Sequence, residues 1–212
     1  MAPKHKFTRD EMVAAALQLV AKSGVEALTA KALATELGTS TQPVFTCFGT
    51  MEALRADVAD AAEARFDDYV MRGLSDDIPF FGFGKQYIRF AKEWPALYRL
   101  LFLSSEKKNG ALCVMERAKE TVLPSLMRIY RLDRADADRY FRDVWLAVHG
   151  IATLIVTDSC PYSAREIEQI LTGISVSICK ALKEIPGYTD GAFNRDAVFC
   201  ALTQEHADRA AE

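Results

Sequence analysis

Nowhere in its 212 residues does this chain hold the ~18–20 consecutive apolar residues that a membrane-spanning helix requires, which excludes an integral helical membrane protein. Its start is polar and lacks the apolar centre of a signal peptide, so a soluble cytoplasmic protein is expected. Cysteine is sparse and scattered. Cys47, Cys113, Cys160, Cys179 and Cys200 are odd in number and never form a C-x-x-C pair, which argues against a disulfide scaffold and against a zinc site. Histidine is scarcer still: His5, His149 and His206 stand far apart. There is no glycine-rich phosphate loop, no metal-ligand pair and no nucleophile elbow. The expectation is therefore a protein with no catalytic residues, no metal and no cofactor. A surplus of positive charge is missing too, since 26 Lys and Arg face 29 Asp and Glu for a formal net charge of -3. Overall charge thus says nothing for nucleic acid, although a local footprint is what matters there. Residues 1–9 supply one, with Lys4, Lys6 and Arg9 and no acid. The same run also fits a solvated leader.

What is present is helical periodicity. Half of the residues are apolar and about a quarter are charged, as in an ordinary soluble globular protein. Apolar positions recur at helical spacing nearly everywhere, without a convincing alternating strand, so the fold is expected to be all-α. Thr8 with Glu11 forms a capping box that opens a first helix, whose stripe is Val13, Ala16, Leu17 and Val20, and Gly24 ends it. Thr29 can cap a short second helix carrying Leu33, Ala34 and Leu37, with Gly38 as its stop. Ser40 can cap a third, from Thr41 to about Cys47, with Pro43 in its first turn. A long fourth helix runs to about Gly73, and residues 73–84 make the best linker. Further helices are expected at about 84–94, 95–103, 109–131, 134–158 and 163–185, the last opened by a Ser163–Glu166 capping box. A weak helix around 195–208 follows.

Two short helices joined through Gly38 cannot bury a core alone. Packed on the first helix they make a three-helix unit of the helix-turn-helix kind, in which the second short helix enters the major groove of DNA. Its outward face would offer Ser40, Thr41, Gln42 and Thr46, with Lys31 on the preceding helix. Gln pairs bidentately with adenine, and Thr hydrogen-bonds a base or touches a thymine methyl. The same pattern is also that of a polar helix corner with no partner.

The stretch ALTAKALATELGTSTQPVFTCFGTMEAL resembles the signature of the TetR, or tetracycline-repressor, family. Thr29, Ala34, Gly38, Ser40, Val44, Phe45, Phe48, Thr50 and Leu54 fall on it in register. Trp145, His149 and Gly150 resemble the Trp…His-Gly motif of one class of C-terminal domain in that family. The resemblance implies a helix-turn-helix DNA-binding domain over 1–50, a ligand-binding and dimerisation domain over 51–187, and a tail over 188–212. It implies a ligand-responsive transcriptional regulator that reads a palindromic operator in double-stranded DNA as a homodimer, with repression as the commoner habit. The DNA-binding set is then Thr29, Lys31, Ser40, Thr41, Gln42, Phe45, Thr46 and Thr50. Three residues depart from the family pattern. Phe45 stands where Tyr is usual, Cys47 where His or Tyr is, and Met51 where Lys is. Each change removes a phosphate contact and shifts that work to Lys4, Lys6, Arg9 and Lys31. An inert thiol is expected at Cys47, with no adjacent cation to activate it.

In the C-terminal half, aromatics gather at Phe80, Phe81, Phe83, Tyr87, Phe90, Trp94, Tyr98 and Phe102, and core packing accounts for most of them, as it can for His149. A subset is expected to border a mostly apolar cavity beside Tyr87, Phe90, Trp94, Tyr98, Trp145 and His149, sized for a small, largely apolar effector. The 134–158 helix is apolar on two faces, one with Phe141, Val144, Trp145, Val148, Ala152 and Ile155, the other with Leu146, Gly150, Thr153 and Leu154. The 163–185 helix carries a stripe of Ile167, Ile170, Leu171, Ile174 and Ile178. The resemblance gives this stripe to the dimer interface. A purely protein-binding, non-catalytic helical module is the alternative reading.

Overall fold

A computed structural model describes residues 7–76, 78–104 and 110–210. Among them every regular element is a helix. In chain order these are α1 (Arg9–Ser23), a 3-10 turn (Val25–Ala27), α2 (Ala30–Glu36), α3 (Gln42–Phe48), α4 (Met51–Gly73), α5 (Pro79–Glu93) and α6 (Pro95–Tyr98), which continues as a π-turn (Arg99–Leu103). Then come α7 (Gly110–Tyr130), α8 (Arg134–Val156), α9 (Ala164–Glu184) and α10 (Arg195–Ala210). No described helix is long and apolar enough to cross a membrane.

The chain packs as two compact units, one drawn from Met1–Ala118 and Val148–Cys160, the other from Lys119–Ala147 and Pro161–Glu212. In the first unit, α1 packs on α2, α3, α4 and α6, while α2 packs on α3 and α3 on α4. The core beneath is Met12, Ala16, Leu17 and Val20 of α1, Leu33 and Ala34 of α2, Val44 and Phe48 of α3, and Leu54 and Val58 of α4. Met12 takes the buried place expected for Val13, which is half-buried. Fully burying one such side chain stabilises the fold by about 1.5–3 kcal/mol, so these contacts outweigh the weak helix propensity of two seven-residue helices.

Capping chemistry sets the angles between the helices. Thr8 and Glu11 make the reciprocal capping box that opens α1. Thr29 accepts from the Ala32 amide at 3.1 Å to open α2, and Thr50 accepts from the Ala53 amide at 3.2 Å to open α4. The turn after α2 is a Schellman motif: Thr39 N–H donates to the Ala34 carbonyl at 2.9 Å and Gly38 N–H to that of Thr35 at 3.1 Å. Gly38 has φ +61°, the left-handed conformation this motif requires. One cap differs from expectation. Helix α3 begins at Gln42 with Thr41 at its N-cap, no side chain caps it, and Ser40 lies one residue further out.

The linker is shorter than the sequence suggests, because α5 starts at Pro79 rather than near Gly84. Proline is well placed in a first helical turn, and the two glycines serve a crossing instead of a loop. A Cβ on Gly82 would stand 2.0 Å from the Gly73 carbonyl oxygen, so α4 and α5 meet backbone to backbone. Trp94 (φ -131°, ψ 56°) ends α5 because Pro95 follows it.

In the second unit, Lys119 pairs with Asp138 at 2.9 Å, Tyr140 hydrogen-bonds Ser175, and Arg139 donates to the Thr189 carbonyl at 2.9 Å. On α9, Ile167, Leu171 and Leu182 are buried, and Ile170, Ile174 and Ile178 are half-buried. Two of the five stripe residues, Ile167 and Leu171, are thus covered inside the chain, and the other three keep part of their surface open. The exposed residues Gln169, Thr172, Gly173 and Val176 share the opposite face of α9. On α8, Leu146, Gly150 and Leu154 are exposed at four-residue spacing.

The two glycine positions predict unequal penalties. Gly38→Ala meets open space and carries only the strain of a left-handed residue, about 1–2 kcal/mol. Gly82→Ala forces the α4–α5 backbones apart and should cost more than about 3 kcal/mol. Chemical denaturation of both variants checks the order; equal losses would contradict the close crossing.

Candidate functional site

Helix α3 turns Val44 and Phe48 inward and leaves Gln42, Phe45 and Thr46 exposed on one face. The i, i+3, i+4 spacing makes them neighbours. Phe45 is 45% exposed, unusually open for a large apolar ring. The Thr46 hydroxyl donates to the Gln42 carbonyl at 2.9 Å, which commits its proton to the helix. Thr41 is half-buried, whereas Thr29, Lys31, Ser40 and Thr50 are exposed. Thr29 and Thr50 already use a side-chain oxygen as caps, leaving the second lone pair and the O–H proton for another partner.

Arg9 does not serve as a loose cationic arm. Its Nε pairs with Asp57 at 2.7 Å, its Nη1 donates to the Cys47 carbonyl at 3.0 Å, and the guanidinium lies 4.6 Å from the Phe48 ring centroid. Arg9 therefore clasps α1 to the end of α3 and to α4. Lys4 and Lys6 fall outside the described residues.

A second constellation sits lower in the same unit. Tyr87 of α5 and Tyr98 of α6 place their hydroxyls 2.8 Å and 3.0 Å from His149 Nδ1. Tyr98 also meets the Thr153 hydroxyl at 3.1 Å. Nδ1 has a single lone pair for the two phenols, and Thr153 gives Tyr98 a second partner, so the group is satisfied with Nδ1 unprotonated. Around it Phe66, Tyr87, Phe90, Tyr98 and Phe102 interlock, with centroid separations such as 5.2 Å for Phe66–Tyr87 and 4.8 Å for Tyr98–Phe102. Most of these contacts are edge-on or tilted, the favoured aromatic geometry.

Of the residues expected to border a cavity, the structure brings Tyr87, Phe90, Tyr98 and His149 together as a packed ring cluster. Trp94 is committed elsewhere: its Nε1 donates to the Tyr69 hydroxyl at 2.9 Å, the Tyr69 hydroxyl in turn bonds Glu93, and Arg65 covers the indole at 4.4 Å. Trp145 is buried and belongs to the second unit. Phe66 is a member that sequence reasoning missed, Phe102 belonged to the aromatic gathering but not to the expected cavity, and Thr153 was expected on a face of its helix directed elsewhere. Phe66 was visible as the end of the four-residue series Leu54, Val58, Ala62, Phe66 on α4. Phe102 depends on the π-turn, which no sequence pattern announced.

Residues 80–173 match the tetracyclin repressor-like C-terminal domain. The family likeness thus lies in the C-terminal domain, over less than half of the chain. Solved structures extend the likeness of fold over most of the chain. A TetR-family member from Streptomyces coelicolor A3 is 20% identical over 78% of this chain and 96% of its own, with a TM-score of 0.56. A protein from Rhodococcus sp. RHA1, described as of unknown function, is 19% identical over 87% of this chain and all of its own length (100%), with a TM-score of 0.67. The multidrug binding protein EbrR, solved with imidazole, is 21% identical over 78% of this chain and 88% of its own, with a TM-score of 0.52. None of the curated proteins matches the chain.

Burial lowers the pKa of His149. The folded value then lies below the unfolded one of about 6.5, and between the two the unfolded chain binds more protons. This contribution to stability is complete above about pH 6.5 and is lost as the pH falls through that value towards the folded pKa. Thermal melts at about pH 7.5 and about pH 5.5 should show a larger drop in Tm for the natural chain than for His149→Gln, which keeps a polar side chain but cannot titrate. Equal drops would mean that His149 ionises as freely in the folded state as in the unfolded one.

Proposed function

We propose that this chain is a ligand-responsive repressor of transcription of the TetR family that binds palindromic double-stranded DNA as a homodimer through α3. The observation that carries the reading is the exposed Gln42, Phe45 and Thr46 face, held on a three-helix head by its own core and caps. Such a face has no part in the fold and suits a major groove. Thr29, Ser40, Thr41 and Thr50 stand around it with hydroxyls for phosphates, and Lys31 adds charge. Phosphate contacts fix register, while base contacts specify sequence.

The mate is proposed to cover the apolar positions that the single chain leaves exposed. On α8 these are Leu146 and its neighbours at four-residue spacing; on α9 they are Val176 with Thr172 and Gly173. Ile170, Ile174 and Ile178, half-buried within the chain, contribute at most their outer edges. The effector is proposed to enter at the ring cluster of Tyr87, Phe90, Tyr98 and His149. Because those rings pack directly on one another, an apolar ligand would separate them and bear on α4 through Phe66. Differential affinity of a few kcal/mol between two settings of α4 is enough to change DNA binding.

Binding to specific and scrambled duplexes across a salt series tests the reading of α3. Gln42→Ala should cost roughly 1–3 kcal/mol on the preferred duplex and relax preference at one position. Lys31→Ala should weaken all duplexes alike and flatten the salt dependence by about one unit of slope. If Gln42→Ala and Thr46→Ala both leave specific binding unchanged, α3 is not the reading element.

Sedimentation tests the mate. The natural chain should be a dimer at micromolar concentration, and Val176→Asp should yield folded monomer because Val176 is 59% exposed in the single chain. A natural chain that sediments as a monomer sinks the dimer.

A further inference from the structure

We infer that α3 reads A·T base pairs and that part of its specificity is contact of Phe45 and Thr46 with the 5-methyl group of thymine. This rests on the DNA-binding reading above and deepens it.

The argument begins with what the reading face lacks. From Leu37 to Met51 there is not one charged residue. Guanine is most often read by Arg or Lys, bidentate to O6 and N7, and cytosine by an acid accepting from N4. Neither chemistry exists on α3. Gln42 remains for adenine N6 and N7, and the hydroxyls of Ser40 and Thr41 do not discriminate strongly.

The second observation is apolar. Phe45 presents a ring that is 45% exposed between two polar neighbours. Thr46 is exposed and spends its proton on the Gln42 carbonyl at 2.9 Å, so what it offers a base edge is its acceptor lone pairs and its methyl. Of the four bases only thymine offers a methyl group in the major groove, and Phe and Thr methyl are among the side chains that contact it. An exposed aromatic ring beside a threonine methyl and an adenine-reading amide therefore forms a single surface matched to A·T pairs.

Charge bookkeeping points the same way. Across residues 1–58, Lys4, Lys6, Arg9, Lys22, Lys31 and Arg55 are balanced one for one by Asp10, Glu11, Glu26, Glu36, Glu52 and Asp57. Arg9 is further tied to Asp57. With no cation from Leu37 to Met51 and Arg9 held by Asp57, this face neutralises few phosphates and releases few counterions, so more of the binding free energy must come from the groove itself.

The test uses the full chain. Duplexes are selected from a random pool, and the thymines of the selected half-site are then replaced singly by deoxyuridine, which lacks only the 5-methyl group. A·T pairs should occupy the positions where Gln42→Ala relaxes preference and those beside them. Deoxyuridine at one or two of these should weaken binding about fourfold each, the worth of one buried methyl group. Phe45→Ala and Thr46→Ser should each bind more weakly and lose the distinction between thymine and uracil at their own position. Thr46→Ser keeps the hydroxyl bond to the helix, so it decides the matter even if Phe45→Ala harms the fold. Selected half-sites led by G·C at the α3 positions, or equal binding of thymine and uracil duplexes, would overturn this inference and leave DNA binding standing. Failure to enrich any duplex would overturn the DNA-binding reading and this inference with it.

Discussion

The continuity of α4 constrains the whole of the first unit. This one helix of 23 residues carries Leu54 and Val58 into the core under α3 and, two to three turns later, Phe66 and Tyr69 into the aromatic cluster. With a rise of about 1.5 Å per residue, Val58 and Phe66 are separated by only about 12 Å of rigid backbone. Thr50 caps one end and the close crossing with α5 pins the other. The head and the ring cluster consequently share one rigid element, and a shift of Phe66 has no soft segment in which to dissipate before it reaches the residues that hold α3.

The cluster at the far end is suited to respond to occupancy. Tyr87 and Tyr98 are fully buried, yet their hydroxyls find His149 and Thr153. Breaking such a buried pairing without replacing it costs about 1–3 kcal/mol. A molecule that parts the rings must therefore either bring its own hydrogen-bonding group or find the hydroxyls another partner. The same demand separates an apolar visitor with one well-placed polar atom from a purely hydrocarbon one.

Local chemistry was the legible part of the chain. Thr8, Thr29 and Ser163 announced helix starts, and Gly24 and Gly38 announced stops, because capping acts over three or four residues and leaves its mark on sequence. The residues from Thr29 to Leu54 that resemble the TetR signature are likewise near one another in the sequence. Long-range decisions were not. Gly73, Gly82 and Gly84 read as a linker, because nothing local distinguishes glycine in a loop from glycine at a helix crossing. The Ile stripe of α9 read as an interface, since periodicity reveals which face is apolar and not whether its cover comes from the same chain. Arg9 read as spare charge because its partner Asp57 is 48 positions away.

The crossing of Gly73 over Gly82 divides the positions of this molecule into those that can drift and those that cannot. Any side chain at either glycine collides with peptide backbone, which has nowhere to retreat. Phe66, Tyr87, Phe90 and Phe102 pack on one another's rings, and side chains can trade volume. A lineage built on this frame can therefore remodel Phe66, Tyr87, Phe90 and Phe102 to suit a new small molecule while the pitch between α4 and α5, and with it the presentation of α3, is inherited unchanged.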